Sequence, residues 1–134
     1  MKFAELKIGM TDYVTKTITA EDIDKFAEIS LDKNPVHLDE EYASKTIFKK
    51  RIAHGILVSG LISAVLGTKL PGEGAIYMGQ ELKFMAPVFI GDTITATVEI
   101  IELIAEKNRV VCSTICTNQD GKQVIVGKAT LLQK

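Results

Sequence analysis

The residues best suited to chemistry crowd into one stretch, Ser30-Leu31-Asp32-Lys33-Asn34-Pro35-Val36-His37-Leu38-Asp39. It carries a carboxylate, Asp32, and an imidazole, His37, with a proline between them that fixes the chain direction. Asp and His held in one short rigid loop can keep a single water between acceptor and donor, as general acid–base catalysis requires. Each residue also has a plainer reading. Asp32 suits a turn that bonds its own backbone, and a lone histidine is more often a satisfied structural residue than a catalyst. Placement favours chemistry. Asp32 falls just past a helix whose C-terminal dipole disfavours an anion, and such local rules are broken most often at functional sites.

A second group, Arg51-Ile52-Ala53-His54-Gly55, leads into an apolar run. The first N–H groups of a helix lack internal partners and sit at its positive end, so a buried helix start suits a developing oxyanion. Gly55 has no side chain, so a carbonyl can approach its N–H closely; tight packing is the alternative reason for a glycine there. His54 reads as a structural anchor for the loop. Ser59 and Ser63 interrupt the apolar run, either bonding back to the helix or, for one of them, orienting Asp32. Two histidines, no cysteine near them and no H-x-x-x-H or C-x-x-C spacing give no reason to expect a metal.

The elements that must position these groups are legible from periodicity. Asp12 to Ile18 reads as a strand, and Thr19 with Asp22 makes a capping box for a helix through Ile23, Phe26, Ala27 and Ser30. Asn34-Pro35 stops that helix, and a short helix follows from Asp39 to about Lys45 with Asp39 as its cap. Gly55 to about Leu70 has almost no polar face, which predicts a helix buried on nearly all sides. The period then becomes two. Ala75–Met85, Thr93–Ile100, Arg109–Thr117 and Gln123–Leu132 read as strands, with turns at Gly91-Asp92 and Asn118-Gln119-Asp120-Gly121. The expected class is α+β, an antiparallel sheet wrapped around the apolar helix. One sheet cannot cover such a helix on both sides, so a homodimer is expected.

Composition narrows the field further. The 134 residues are 46% hydrophobic and 25% charged, which predicts one globular domain spanning 1–134. A formal charge of −1 offers no electrostatic reason to bind nucleic acid or an anionic membrane. The apolar run is shorter than the roughly 20 residues that cross a bilayer, and the charged start does not resemble a signal peptide. Cys112 and Cys116 fall on one face of a strand, about 13 Å apart, too far to pair. Two free thiols imply a reducing, cytoplasmic setting.

These residues carry a family likeness. Asp32-x-Asn34-Pro35-Val36-His37, then Ala43, then His54-Gly55 resembles the hydratase-2 motif of MaoC-like (R)-specific enoyl-CoA hydratases. The run Tyr77-x-x-Gln80-x-Leu82-x-Phe84-x-x-Pro87-Val88-x-x-Gly91-Asp92 is similar to the family's second half. Leu31 departs from the pattern, since the family usually has a small residue, often glycine, at that place. The resemblance implies a hot-dog fold, a homodimer and reversible hydration of a trans-2-enoyl-CoA to an (R)-3-hydroxyacyl-CoA without a cofactor. Carried over, it makes Asp32 the base and His37 the group that supplies the α-carbon proton. The Gly55 N–H polarises the thioester carbonyl, and Asn34 and Ser63 orient the pair from behind. Two rivals share the expected fold: an acyl-CoA thioesterase and a non-catalytic module that binds acyl thioesters. A dehydratase for another hydroxyacyl thioester would use the same site.

Overall fold

The computed structural model describes residues 1–134. Strand β1 (Thr11–Thr17) leads into helix α1 (Ala20–Ser30) through the capping box expected there. Thr19 Oγ1 accepts from the Asp22 N–H at 3.1 Å, and Asp22 Oδ2 accepts from the Thr19 N–H at 3.0 Å. The next segment is more ordered than a loop. A one-turn helix, α2 (Pro35–Leu38), forms because Asn34 Oδ1 accepts from the Val36 N–H, and a proline in the first turn has no N–H to waste. Helix α3 (Glu40–Ser44) follows directly, capped by Asp39 as the sequence predicts.

Helix α4 (Gly55–Thr68) precedes strands β2 (Ile76–Phe84), β3 (Thr93–Ile104), β4 (Arg109–Thr117) and β5 (Gln123–Leu132). Strand β3 runs past the expected end at Ile100, across a register irregularity between Ile100 and Glu102. All pairings are antiparallel, and the five strands lie in the order β1-β3-β4-β5-β2. Alternation along β3 and β4 turns one face inward, where Ile94, Val98, Ile100 and Val110 meet Val58, Ile62, Val65 and Leu66 of α4. Cys112 and Cys116 belong to that inward set as free thiols. Burial pushes both up to about 12.

Within one chain the helix is not buried on all sides. Ile56, Gly60, Ser63 and Gly67 form an exposed stripe along α4. The sheet covers only one side of the helix within a chain. The edge strand β2 is likewise exposed over most of its length, including Ile76, Tyr77 and Met78.

Candidate active site

The site grows from the end of α1. Leu31 closes that helix with φ of +67°, a left-handed conformation that suits glycine and strains a leucine. The departure from the family pattern therefore falls on a position whose backbone asks for a small residue. The chain then turns so that the Asp32 N–H donates to Ser30 Oγ at 3.1 Å. Asp32 Oδ1 in turn accepts from the Asn34 N–H at 3.2 Å. Asn34 thus touches the Asp32 carboxylate through its N–H and caps the helical turn that carries His37.

His37 is 9% exposed. Its Nδ1 lies 2.8 Å from Ile52 O. A carbonyl can only accept, so Nδ1 carries the hydrogen and neutral His37 presents a bare Nε2. Burial is the main cause that lowers its proton affinity; the bond to Ile52 opposes it, His54 adds to the lowering and Asp32 opposes it. His37 is therefore held neutral below the pH at which an ordinary histidine charges. Arg51 Nε donates to His37 O at 2.6 Å, and Arg51 Nη2 pairs with Asp24 Oδ1 of α1 at 2.8 Å. Arg51 thereby ties the His37 turn to the helix beneath it.

His54 is more central than a loop anchor. It is 2% exposed, and its ring stacks on His37 with centroids 3.9 Å apart and planes tilted by 27°. Its Nε2 donates to Asp32 O at 2.9 Å. Arg51 and His54 are the two residues of this site that sequence reasoning gave no chemical part. The signal was their position just before a buried helix start, with a histidine at the N-cap where Ser, Thr, Asp or Asn is preferred. The carboxylate of Asp32 and a ring nitrogen from each histidine lie within 4.8 Å of one another. Stacked rings point their in-plane lone pairs side by side rather than at one point, so the trio does not fit a tetrahedral cation.

Gly55 opens α4, and no side chain caps it. The Pro87–Phe89 segment holds this loop in place: the Ala53 N–H donates to Val88 O at 2.7 Å, and Ile52 bridges Phe89. The second half of the family pattern thus positions the first. Gly55 also has a packing reason to be glycine. A Cβ there would stand 2.4 Å from Cε1 of Phe84. A cavity of about 410 Å³ opens beside it, and ten of its 13 lining residues are hydrophobic. His37, Gly55, Phe48, Ile52, Phe84 and Val88 are among them. Asp32 is exposed and is not part of that lining, but its carboxylate stays within 4.8 Å of a ring nitrogen of His37. Ser63 is not brought to Asp32. It is exposed, about 12 Å down α4 from Gly55, while Ser59 bonds back to Ile56 O at 2.7 Å.

An antiparallel sheet wrapped around one side of a central helix, with Asp32, His37 and Gly55 at the start of that helix, defines a hot-dog fold. Residues 6–125 match the MaoC-like domain. The chain is 55% identical over 130 residues to an (R)-specific enoyl-CoA hydratase of Rhodospirillum rubrum, covering 97% of this chain and 90% of that one. It is 47% identical to a 3-hydroxybutyryl-CoA dehydratase of Methylorubrum extorquens, covering 98% of this chain and 82% of that one. The solved (R)-hydratase from A. caviae, involved in PHA biosynthesis, superposes with a TM-score of 0.94 at 38% identity. That match covers 97% of this chain and 98% of the other. The chain belongs to the MaoC-like domain family.

Proposed function

We propose that the protein is an (R)-specific enoyl-CoA hydratase, which reversibly adds water to a trans-2-enoyl-CoA to give an (R)-3-hydroxyacyl-CoA. One observation carries the reading: a neutral His37 and the uncapped start of α4 face one apolar cavity, with the Asp32 carboxylate beside the histidine. The names of the relatives agree with it, one describing hydration and one the reverse reaction.

The chemistry follows from the geometry. The acyl chain lies in the apolar cavity, and the thioester oxygen meets the Gly55 N–H. Asp32 and His37 hold one water between them. As its oxygen bonds to the β-carbon, charge moves onto the thioester oxygen, where one well-placed amide donor is worth about 3–4 kcal/mol of barrier. The water proton leaves to the Asp32–His37 pair, and His37 Nε2 returns a proton to the α-carbon. Nδ1 is committed to Ile52, so the proton that His37 delivers is one taken up during the same addition. No outside acid is needed.

The same proposal includes a homodimer. The exposed stripe of α4 and the open β2 edge support it, since a second copy would cover apolar surface that one sheet leaves bare. Ser63 stands on that stripe. Sedimentation should give twice the 14.6 kDa chain mass, and a monomer would remove this part of the reading.

Adding the protein to crotonyl-CoA tests the activity. Loss of the enoyl thioester absorbance without thiol release is expected. Thiol release would instead favour a thioesterase, and no change in either signal would favour a binding module.

A further inference from the structure

We propose that His54 is a positioning residue of the reaction, which holds Asp32 by its backbone and His37 by its ring. The proposal rests on the hydratase reading for its catalytic part and on geometry for the rest.

His54 occupies the N-cap of α4, where a side chain usually accepts from the helix's own N–H groups, yet it makes no such bond. Its ring turns away from the helix and is clamped between Phe26 of α1, at 4.8 Å between centroids, and His37 of α2. The edge of the ring donates through Nε2 to Asp32 O. One side chain therefore touches both members of the proposed dyad and is covalently joined to Gly55, the proposed oxyanion donor. A shift of the His54 ring therefore disturbs the support of both Asp32 and His37.

The cost of this arrangement is visible. With its hydrogen on Nε2, His54 leaves Nδ1 as a buried acceptor with no partner. A phenylalanine would fill the same space between Phe26 and His37 without an orphaned atom, so packing alone does not account for an imidazole here. What the imidazole adds is the N–H to Asp32 O. The groups that face His37 are Asp32, His54 and Arg51, whose guanidinium is itself paired with Asp24. Among them His54 acts in the same direction as burial, keeping His37 neutral.

Two variants separate the contacts. His54→Phe keeps the ring and loses the donor, and His54→Gln keeps a donor and loses the ring. Both should lower kcat for enoyl-CoA hydration about 10- to 100-fold with KM changed by less than about threefold. In both, the acid limb of the kcat profile should move to higher pH, because the imidazole that acts with burial to lower the proton affinity of His37 is gone. Folded variants with kcat within about twofold of wild type and an unmoved acid limb would overturn the proposal. So would a fall in activity that only tracks loss of folded protein. Nitrogen NMR of the wild type supplies a readout independent of turnover. Neutral His54 should carry its proton on Nε2 and neutral His37 on Nδ1. The opposite tautomer at His54 would break the link to Asp32 and overturn the proposal even in an active enzyme. An inactive wild type would overturn the hydratase reading, and with it the catalytic part, while the expected tautomers would still support the positioning geometry.

Discussion

Cys112 and Cys116 on β4 and His37 and His54 beside the start of α4 are both buried pairs of titratable side chains, treated by the same physics with opposite results. Burial disfavours the charged form of both cysteines and of His37. For the cysteines this means protonated thiols, pushed up to about 12, and a thiol is not a nucleophile. For His37 it means a neutral imidazole, and the neutral ring is the form that accepts a proton. Surroundings complete the difference. The cysteines belong to the apolar core with Val110, Val124 and Ile125, and neither lines the cavity beside Gly55. His37 has one nitrogen fixed by a backbone carbonyl and the ring at the wall of an apolar cavity. Burial makes a residue reactive only when the form it favours is the reactive one.

The largest effects should fall on the histidine side of this contrast. Asp32→Asn and His37→Gln should each lower kcat at least 100-fold while circular dichroism remains that of the wild type. Cys112→Ala and Cys116→Ala should leave kcat within about twofold and lower stability by about 1 kcal/mol or more. Near-normal turnover in either dyad variant, or a comparable loss in a cysteine variant, would erase the distinction.

Gly55→Ala should come next, because its Cβ would press on the Phe84 ring at the cavity wall. Overpacking of this kind costs about 1–3 kcal/mol, so Tm should fall, and kcat should fall about tenfold as the helix start moves. A variant with unchanged kcat would show that the helix start tolerates the added Cβ and that the glycine is not needed to place its N–H.

The pH dependence follows from the direction of the His37 shift. Its proton affinity is lowered in the folded protein, chiefly by burial, so the acid limb of kcat/KM should lie below the ordinary histidine range near about 6.5. The sign for stability is the same. The unfolded chain takes up this proton first as pH falls, so the contribution is present above the ordinary value and lost below it. An acid limb above the ordinary range would contradict a buried neutral base. The smallest effect belongs to Leu31, which is 78% exposed and strained at positive φ. Leu31→Gly should raise stability by about 0.5–1 kcal/mol with activity little changed, read from the shift in Tm.

The five strands, the capping box of α1, the Asp39 cap of α3 and the inward cysteines were legible because each is a local pattern of period, cap or alternation. The Asp32 to His37 segment was legible as a candidate site because it sets a carboxylate and an imidazole close together around a proline. Three features were not. The one-turn helix α2 depends on Asn34 capping its neighbour, where the sequence suggested only a stop. Which side of α4 stays bare could not be read: the apolar run calls for more cover than one sheet gives, but it has no polar face to mark the uncovered stripe. The stack of His54 on His37 joins residues 17 positions apart through three-dimensional packing that no spacing rule predicts.

The stereochemistry of the product tests the central claim most directly. Water delivered from a fixed Asp32–His37 pair to one face of a bound enoyl thioester must give a single hand. Hydration product coupled separately to 3-hydroxyacyl-CoA dehydrogenases of opposite specificity should be consumed only by the (R)-specific enzyme. Consumption by the (S)-specific enzyme, or by both, would contradict the account.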